Sequence, residues 1–451
     1  MYNKFVKYLY FPITEKIKGS KLYPYYKILD RTQWLTSKEI QSQQWNKLVK
    51  LLNEAKAHVP YYKFLSDTTI NTYKDFGHLP ILEKEDIRNN FDNLINQSFA
   101  KKYFKSRTSG STGLSLEFFV SWEAESWVTA GQWRARGWFG IDIGDRGLYI
   151  WGRPLESKKD EILAKIKARI KNNLLISAFD LSDDTLEKNW TIIEKFKPVY
   201  IYGYASSIFQ LANFVKKTNK KLSFSLKAVF TTAETIFDYQ RQTIKEAFHC
   251  PVAQEYGAAE TGAFGYECPH EHMHLFSENV FVEILNDDNQ SVAPTETGKI
   301  VITPLHNYCM PLIRYNLGDV GGLVDDACPC KRNSPLLNLK IAKKTDIIIT
   351  PEGKKFSSEL FDYINLELIK NNIKGIKQFR VIQKSRGAFH LEIVKEESYS
   401  KTTLEFFENQ IRKFFGQTVD IKTIFVNDIE REQTGKLRYF ISDINEEKGV
   451  K

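Results

Sequence analysis

From residue 147 onward the chain alternates short β-branched or aromatic runs with stretches of helical period, and no other feature restricts its fold as strongly. The runs are GLYIW at 147–151, VYIY at 199–202, LKAVFT at 226–231, VFVEIL at 280–285 and KIVIT at 299–303, and helices are expected over 183–196, 206–217 and 237–248. Strands that take turns with helices build α/β layers around at least one partly parallel sheet. Near residue 345 the register resets, with IIIT at 347–350, a PEGK turn, a helix around 357–370, strands near 378–382 and 388–394, a helix around 402–415 and a strand near 420–426. That tail reads as a separate α+β unit. A chain of 451 residues exceeds one ordinary core, at roughly 150 residues per domain. The expected division is a large α/β domain over 1–344 and a small domain over 345–451. Upstream, Ile40, Trp45, Leu48, Leu51, Leu52 and Ala55 predict a helix over 37–57, stopped by Pro60, and 80–93 predicts a second, short helix.

Composition bears on partners. A hydrophobic share of 42 % with 14 % aromatics excludes wholesale disorder. No apolar run reaches the ~18 to 20 residues of a membrane helix, and the lysine-broken start MYNKFVKYLYFPITEKIKG has no small-residue cleavage site, so a soluble, cytoplasmic chain is expected. Five cysteines, none in the first half, make no disulfide framework and fit a reducing compartment. The net charge of +9 would draw anionic small molecules or acidic surfaces without indicating nucleic acid. Charge concentrates in KKDEILAKIKARIK, residues 158–171, where Ile162, Ile166 and Ile170 recur every four positions among Lys165, Lys167, Arg169 and Lys171. Such a basic amphipathic helix could face a phosphate-bearing ligand or a membrane, or could simply pack on the core. The tyrosine- and lysine-rich first 27 residues read the same way.

The densest chemistry lies in Thr108-Ser109-Gly110-Ser111-Thr112-Gly113, just before the alternating strand LSLEFFV. Six small residues with four hydroxyls, preceded by Lys101, Lys102, Lys105 and Arg107, can wrap phosphate oxygens with O–H and N–H groups. This is not the loop of strand-loop-helix NTPases, because no Gly-Lys-Ser/Thr follows and a strand stands where a helix should. Three more strings come later: QEYGAAET at 254–261, PLIRYNLGD at 311–319 and EQTGKLR at 432–438. In order and separation the four resemble the motifs of the adenylate-forming enzymes, the superfamily of acyl-CoA synthetases, luciferases and peptide-synthetase adenylation domains. Further matches at QWNKLVKLLNEAKAHVPYY (44–62), LPILEKEDIR (79–88) and the stretch from Trp133 to Gly152 resemble the phenylacetate-CoA ligase branch, including ligases encoded with capsular-polysaccharide genes. The resemblance spans nearly the whole chain.

It implies a large domain followed by a small mobile lid, and an ATP-dependent ligase that converts a small carboxylic acid to acyl-AMP and passes the acyl group to a thiol, coenzyme A first. Bringing a carboxylate to an anionic α-phosphate calls for a cation, a metal and a phosphate cradle. By resemblance Thr108, Ser109, Gly110, Ser111, Thr112 and Gly113 would hold the ATP phosphates. Glu260 would bind Mg²⁺ at the catalytic centre, and Tyr256, with Gly257 and Ala258 beside it, would stack on adenine. Asp319 would accept both ribose hydroxyls, Glu234 and Lys343 would contribute to the nucleotide site, and Lys436 would bridge the carboxylate and the α-phosphate. Asp346 is the expected hinge. Trp133, Tyr202, Gly203 and Tyr204 would line the acyl pocket, although core packing accounts for those aromatics equally well. Two positions depart from the pattern: Ala342-Lys343 stands where Gly-Arg is usual, removing the bidentate fork of arginine, and Ser115 replaces a common proline.

Cys268 and His274, with Cys328 and Cys330 some fifty residues later, form a Cys₃His set suited to a closed, structural Zn²⁺ site. Similar positions occur in part of the ligase branch. His270 and His272 compete with His274, and four unrelated residues are the plain alternative. The acceptor stays open among coenzyme A, a carrier thiol and an amino group on a sugar nucleotide in cell-surface polysaccharide synthesis. A nucleotide-binding relative without turnover is the competing class.

Overall fold

A computed structural model describes residues 2–107, 116–151, 158–178, 181, 183–340, 347–351, 355–357, 373, 375–430 and 440–444. The chain divides into two compact units, Met1–Lys340 and Ile341–Lys451.

In the large unit an antiparallel hairpin pairs β1 (Tyr103–Arg107) with β2 (Glu117–Ser121). Eleven strands then share one sheet: β3 (Gly147–Trp151), β4 (Asn173–Ser177), β5 (Tyr200–Tyr204), β6 (Ala228–Thr232), β7 (Val252–Ala258), β8 (Gly262–Glu267), β9 (Met273–Leu275), β10 (Val280–Leu285), β11 (Gly298–Pro304), β12 (Tyr315–Val324) and β13 (Leu336–Lys340). Their spatial order is β10-β11-β12-β13-β9-β8-β7-β6-β5-β3-β4. Pairs from β4 to β7 are parallel and all pairs from β7 to β10 are antiparallel. β3 lies between β4 and β5, so the strand order reverses there, and in such sheets ligands settle beyond the carboxyl ends of the strands.

The parallel strands are covered on both faces, which explains their unbroken apolar runs. Leu148, Ile150, Ile201 and Val229 face the helices Asp183–Phe196, Ala205–Lys217 and Asp238–Phe248. Their neighbours Tyr200, Tyr202, Ala228 and Phe230 point the other way, onto the helices Leu22–Thr32 and Trp122–Gly137. A third core joins Ile284, Ile300, Ile302 and Tyr315 to Leu48, Leu51 and Leu52 of the helix Ser37–His58. That helix starts at a capping box in which the Thr36 hydroxyl accepts the Glu39 amide and Glu39 accepts the Thr36 amide at 2.8 Å.

In the small unit β14 (Ile347–Ile349) pairs antiparallel with β15 (Lys355–Ser357). A second sheet has the order β18 (Asp420–Phe425), β17 (Ala388–Lys395), β16 (Ile376–Ser385), β19 (Phe440–Ser442), antiparallel only between β16 and β17. Phe407, Ile411 and Phe415 of the helix Lys401–Phe415 pack on Phe379, Val381, Phe389, Leu391 and Ile393.

The α/β class with a small α+β unit is the one expected. Among the differences from the sequence reading, two concern segments next to Arg314. Within 80–93 the α-helix is Lys84–Asn89 alone, because Leu82 is held extended: its amide donates to the Arg314 carbonyl at 2.9 Å and its carbonyl accepts the Asn316 amide at 3.0 Å. β12 was not anticipated because three glycines interrupt its pattern; one, Gly322, is needed where a Cβ would come within 2.6 Å of the Glu296 carbonyl. The expected helix around 357–370 lies outside the described residues.

One buried ion pair ties three elements of the large unit together. Arg134, on the helix Trp122–Gly137, forks onto Glu278 (2.6 and 3.3 Å) and donates to the Leu29 carbonyl at 2.9 Å, while the Thr32 hydroxyl donates to Glu278 at 2.6 Å. Burial alone would raise the Glu278 carboxyl, but the Arg134 charge and these hydrogen bonds hold it below its usual range. Arg134→Ala strands that carboxylate, and chemical denaturation is expected to show a loss of about 3–5 kcal/mol.

Candidate functional site

The string at 311–319 is built around Arg314, which is 2 % exposed and sits at φ +54°. Its guanidinium grips Glu283 of β10 through Nη2 to Oε1 (2.9 Å) and Nε to Oε2 (3.0 Å), and Nη1 donates to the Leu79 carbonyl. Its amide donates to the Thr303 hydroxyl of β11 at 2.9 Å. Tyr62 adds a second anchor: its hydroxyl donates to the Pro311 carbonyl (3.0 Å) and accepts the Ile313 amide (3.1 Å). Residues 315–319 therefore start from a fixed point.

Two buried hydroxyl–carboxylate pairs follow. The Tyr315 hydroxyl donates to Oε1 of Glu260 at 2.6 Å, and the Tyr256 hydroxyl donates to Oδ2 of Asp319 at 2.9 Å. Burial, and then the adjacent carboxylate, push both phenols above their ordinary pKa, so each remains a donor. The other oxygen of Asp319, Oδ1, is buried without a hydrogen-bond partner among the described residues, on a side chain only 8 % exposed. An unpaired carboxylate oxygen at that depth carries a desolvation cost unless something donates to it.

Glu260 lies in the turn from β7 to β8, just past the carboxyl end of the parallel half. It lines a cavity of about 80 Å³ with Phe104, Ser106 and Val120 of the β1–β2 hairpin and Glu125, Trp127 and Val128 of the helix Trp122–Gly137. Asn279, His306 and Asn307 complete the wall. The His306 ring stacks on Trp127 (4.1 Å between centroids), and burial followed by the Lys47 charge keeps it neutral. Burial also raises the Glu125 carboxyl. Oδ1 of Asn279 is another buried acceptor without a partner among the described residues. The sequence pointed to none of these wall residues; for Glu283 and Glu125 the available signal was an acid within an apolar strand or helix.

Of the other residues named from the sequence, Gly257 pairs with Ala263 across β7 and β8, where a Cβ would meet the Gly262 carbonyl at 2.4 Å; Ala258 ends β7. Glu234 follows β6 and accepts the Ser206 amide (2.8 Å) and hydroxyl (3.1 Å). Trp133 and Tyr202 lie in the core under the helix Leu22–Thr32, and the Tyr204 ring lies 4.6 Å from that of Trp151, which also stacks on Tyr202. Gly203 abuts the Ile150 carbonyl. None of these four lines the cavity beside Glu260. Thr108, Ser109, Gly110, Ser111, Thr112, Gly113, Lys343, Asp346 and Lys436 lie outside the described residues.

Cys268, His274, Cys328 and Cys330 converge, their ligand atoms all within 4.8 Å of one another. Cys268 Sγ lies 3.5 Å from Cys328 Sγ, and Cys330 Sγ lies 3.2 Å from His274 Nε2. Ser334 Oγ meets the other ring nitrogen, Nδ1, at 2.9 Å, which turns Nε2 toward the sulfurs. Burial, reinforced by the Arg332 charge, lowers the His274 pKa to about 4, leaving a neutral imidazole at physiological pH. The donors and their spacing suit a tetrahedral metal.

The architecture is that of the acyl-CoA ligases of the adenylate-forming superfamily. It matches a 2-hydroxyisobutyryl-CoA ligase crystallised with an acyl adenylate (TM-score 0.70, 18 % identity, 92 % of each chain) and the anthranilate-CoA ligase AuaEII with anthranoyl-AMP (TM-score 0.54, 13 % identity, 76 % of this chain and 67 % of that one). By sequence the chain is a homologue of CapK and of phenylacetate-coenzyme A ligase. It is 26 % identical to Protein CapK of Staphylococcus aureus over 423 residues, 90 % of this chain and 89 % of that protein. To the Thermus thermophilus ligase it is 23 % identical over 338 residues, 70 % and 73 % of the two chains. Residues 348–443 match the CapK C-terminal domain.

Arg314→Lys keeps the charge but loses the fork, leaving a Glu283 oxygen or the Leu79 carbonyl unpaired. Urea denaturation should show a loss of about 1–3 kcal/mol. Hydrogen exchange should quicken at the amides of 315–319.

Proposed function

We propose that the chain is an ATP-dependent carboxylic acid ligase. A carboxylate oxygen attacks the α-phosphorus of ATP and the bond to pyrophosphate breaks, giving acyl-AMP. The sulfur of a thiol, coenzyme A in this reading, then attacks the acyl carbon, loses its proton and displaces AMP. The observation that carries the reading is Asp319, a buried carboxylate with one oxygen held by Tyr256 and the other without a donor among the described residues, which is what a ribose hydroxyl supplies. Homology to phenylacetate-coenzyme A ligase supports the same chemistry.

In this proposal Glu260, oriented by Tyr315, is the carboxylate that would hold Mg²⁺, an ion that takes hard oxygen ligands. The metal would neutralise phosphate charge. The loop from Thr108 to Gly113 would cradle the phosphates, Glu234 and Lys343 would help bind nucleotide, and the unit beyond the hinge at Asp346 would bring Lys436 to the charge that develops in the transition state. The acid would occupy either the cavity beside Glu260 or the Trp133–Tyr204 region. A second reading, transfer to an amino or hydroxyl group of a sugar or carrier in cell-surface polysaccharide synthesis, is favoured by the likeness of 348–443 to the CapK C-terminal domain.

Carboxylate-dependent exchange of labelled pyrophosphate into ATP, over a panel of acids, tests the first step; ATP binding without exchange for any acid would leave a nucleotide-binding relative. Lys436→Ala should lower exchange by about 10²–10³-fold while ATP binding changes little. Asp319→Asn should weaken ATP binding itself.

Zn²⁺ held by Cys268, His274, Cys328 and Cys330 would be structural, since four protein ligands leave no open position. Metal analysis of protein prepared without chelator should find about one zinc per chain. Cys328→Ser should remove it and lower the melting temperature more than it lowers exchange.

A further inference from the structure

Two neighbouring helical stretches of the large unit turn large apolar side chains outward. Along Tyr2–Phe5, Val6–Tyr10 and Phe11–Lys18, the exposed residues Tyr2, Phe5, Leu9, Ile13 and Ile17 recur every three or four positions, with Tyr8 alongside. Ile17 is 65 % exposed and Tyr8 60 %. On the helix Lys158–Ile170, Ile162, Leu163, Ile166 and Ile170 are exposed as well. The Tyr2 hydroxyl donates to the carbonyls of Arg169 (3.3 Å) and Ile170 (3.2 Å), so the end of one stretch touches the end of the other. These ten side chains are two thirds of the fifteen exposed large hydrophobics among the described residues. A helix on a protein surface ordinarily turns its apolar stripe inward, and a concentrated outward stripe marks a surface that something covers.

The charges around the stripe identify the partner. Residues 2–18 carry Lys4, Lys16 and Lys18, with Lys7 already paired to Asp142 at 2.6 Å, against one acid of their own, Glu15, which is half-buried and accepts the Tyr23 amide at 3.2 Å. Residues 158–171 carry Lys158, Lys159, Lys165, Lys167, Arg169 and Lys171 against Asp160 and Glu161, and both acids precede the exposed isoleucines. Apolar and aromatic side chains bordered by cations, on helices that lie along a surface, match the boundary between anionic headgroups and acyl chains. Tyrosine suits that depth because its ring is apolar and its hydroxyl stays wet. No described helix is long and apolar enough to cross a membrane, so the contact is of the lying-on kind.

We propose that this face, formed by Tyr2–Lys18 and the helix Lys158–Ile170, docks the protein onto an anionic lipid bilayer. The full chain should sediment with vesicles of mixed phosphatidylcholine and phosphatidylglycerol but not with phosphatidylcholine alone, and added salt should weaken the association. Both Ile13→Glu and Ile166→Glu replace exposed side chains, so melting temperature should not change while vesicle affinity falls about tenfold or more. No association with anionic vesicles, or association of both variants as tight as that of the unaltered chain, overturns the proposal. So does a native dimer in light scattering that Ile13→Glu dissolves without any lipid effect, since the face would then join two copies of the chain.

Discussion

Arg314 carries a full positive charge into a part of the large unit where water cannot reach it, and much of the candidate site hangs on how that charge is met. Glu283 supplies a bidentate carboxylate from β10 and Leu79 a carbonyl from the N-terminal segment, while the Thr303 hydroxyl of β11 accepts the Arg314 backbone amide. A planar fork met from two directions, on a residue whose own amide is also held, has little freedom left, which is how a left-handed backbone at a non-glycine residue is sustained. The segment leaving Arg314 is therefore aimed. Tyr315 reaches Glu260, and β12 carries Asp319 to Tyr256. Burial raises the Glu283 carboxyl and the guanidinium opposes that rise, so neither partner is dispensable alone.

The sheet supplies the second constraint. Its parallel half delivers Glu234 just beyond β6 and Glu260 just beyond β7, both at carboxyl ends. The antiparallel half returns Asp319 from a strand four places away from β7 in spatial order. The Cys/His cluster sits where β8, β9 and the β12–β13 connection meet, so a metal there would brace the antiparallel half without lining the cavity. Stability and chemistry would then be served by different side chains on the same sheet.

Much was legible in the sequence because period and spacing are local properties. Tyr200–Tyr204 and Ala228–Thr232 read as strands because apolar residues fill both faces, and the helix Asp183–Phe196 reads as amphipathic because Leu186, Trp190 and Ile193 recur at three and four. β12 did not read as a strand, since its glycines answer to the close approach of other backbone segments rather than to any local pattern. Cys268, His274, Cys328 and Cys330 could be gathered as a chemical set, yet their convergence within 4.8 Å is a fact of pairing between distant strands.

What the sequence by itself determined is the α/β class and the resemblance to adenylate-forming ligases, because motif order and residue chemistry survive without coordinates. Tertiary structure alone decided which hydroxyl meets which carboxylate, that one oxygen of Asp319 has no donor among the described residues, and that the apolar stripes at residues 2–18 and 162–170 face outward together. The physical reason is that a hydrogen bond or an exposed face depends on elements far apart in the chain being brought side by side, and amphipathic period reveals that a helix has two faces without saying which of them is covered.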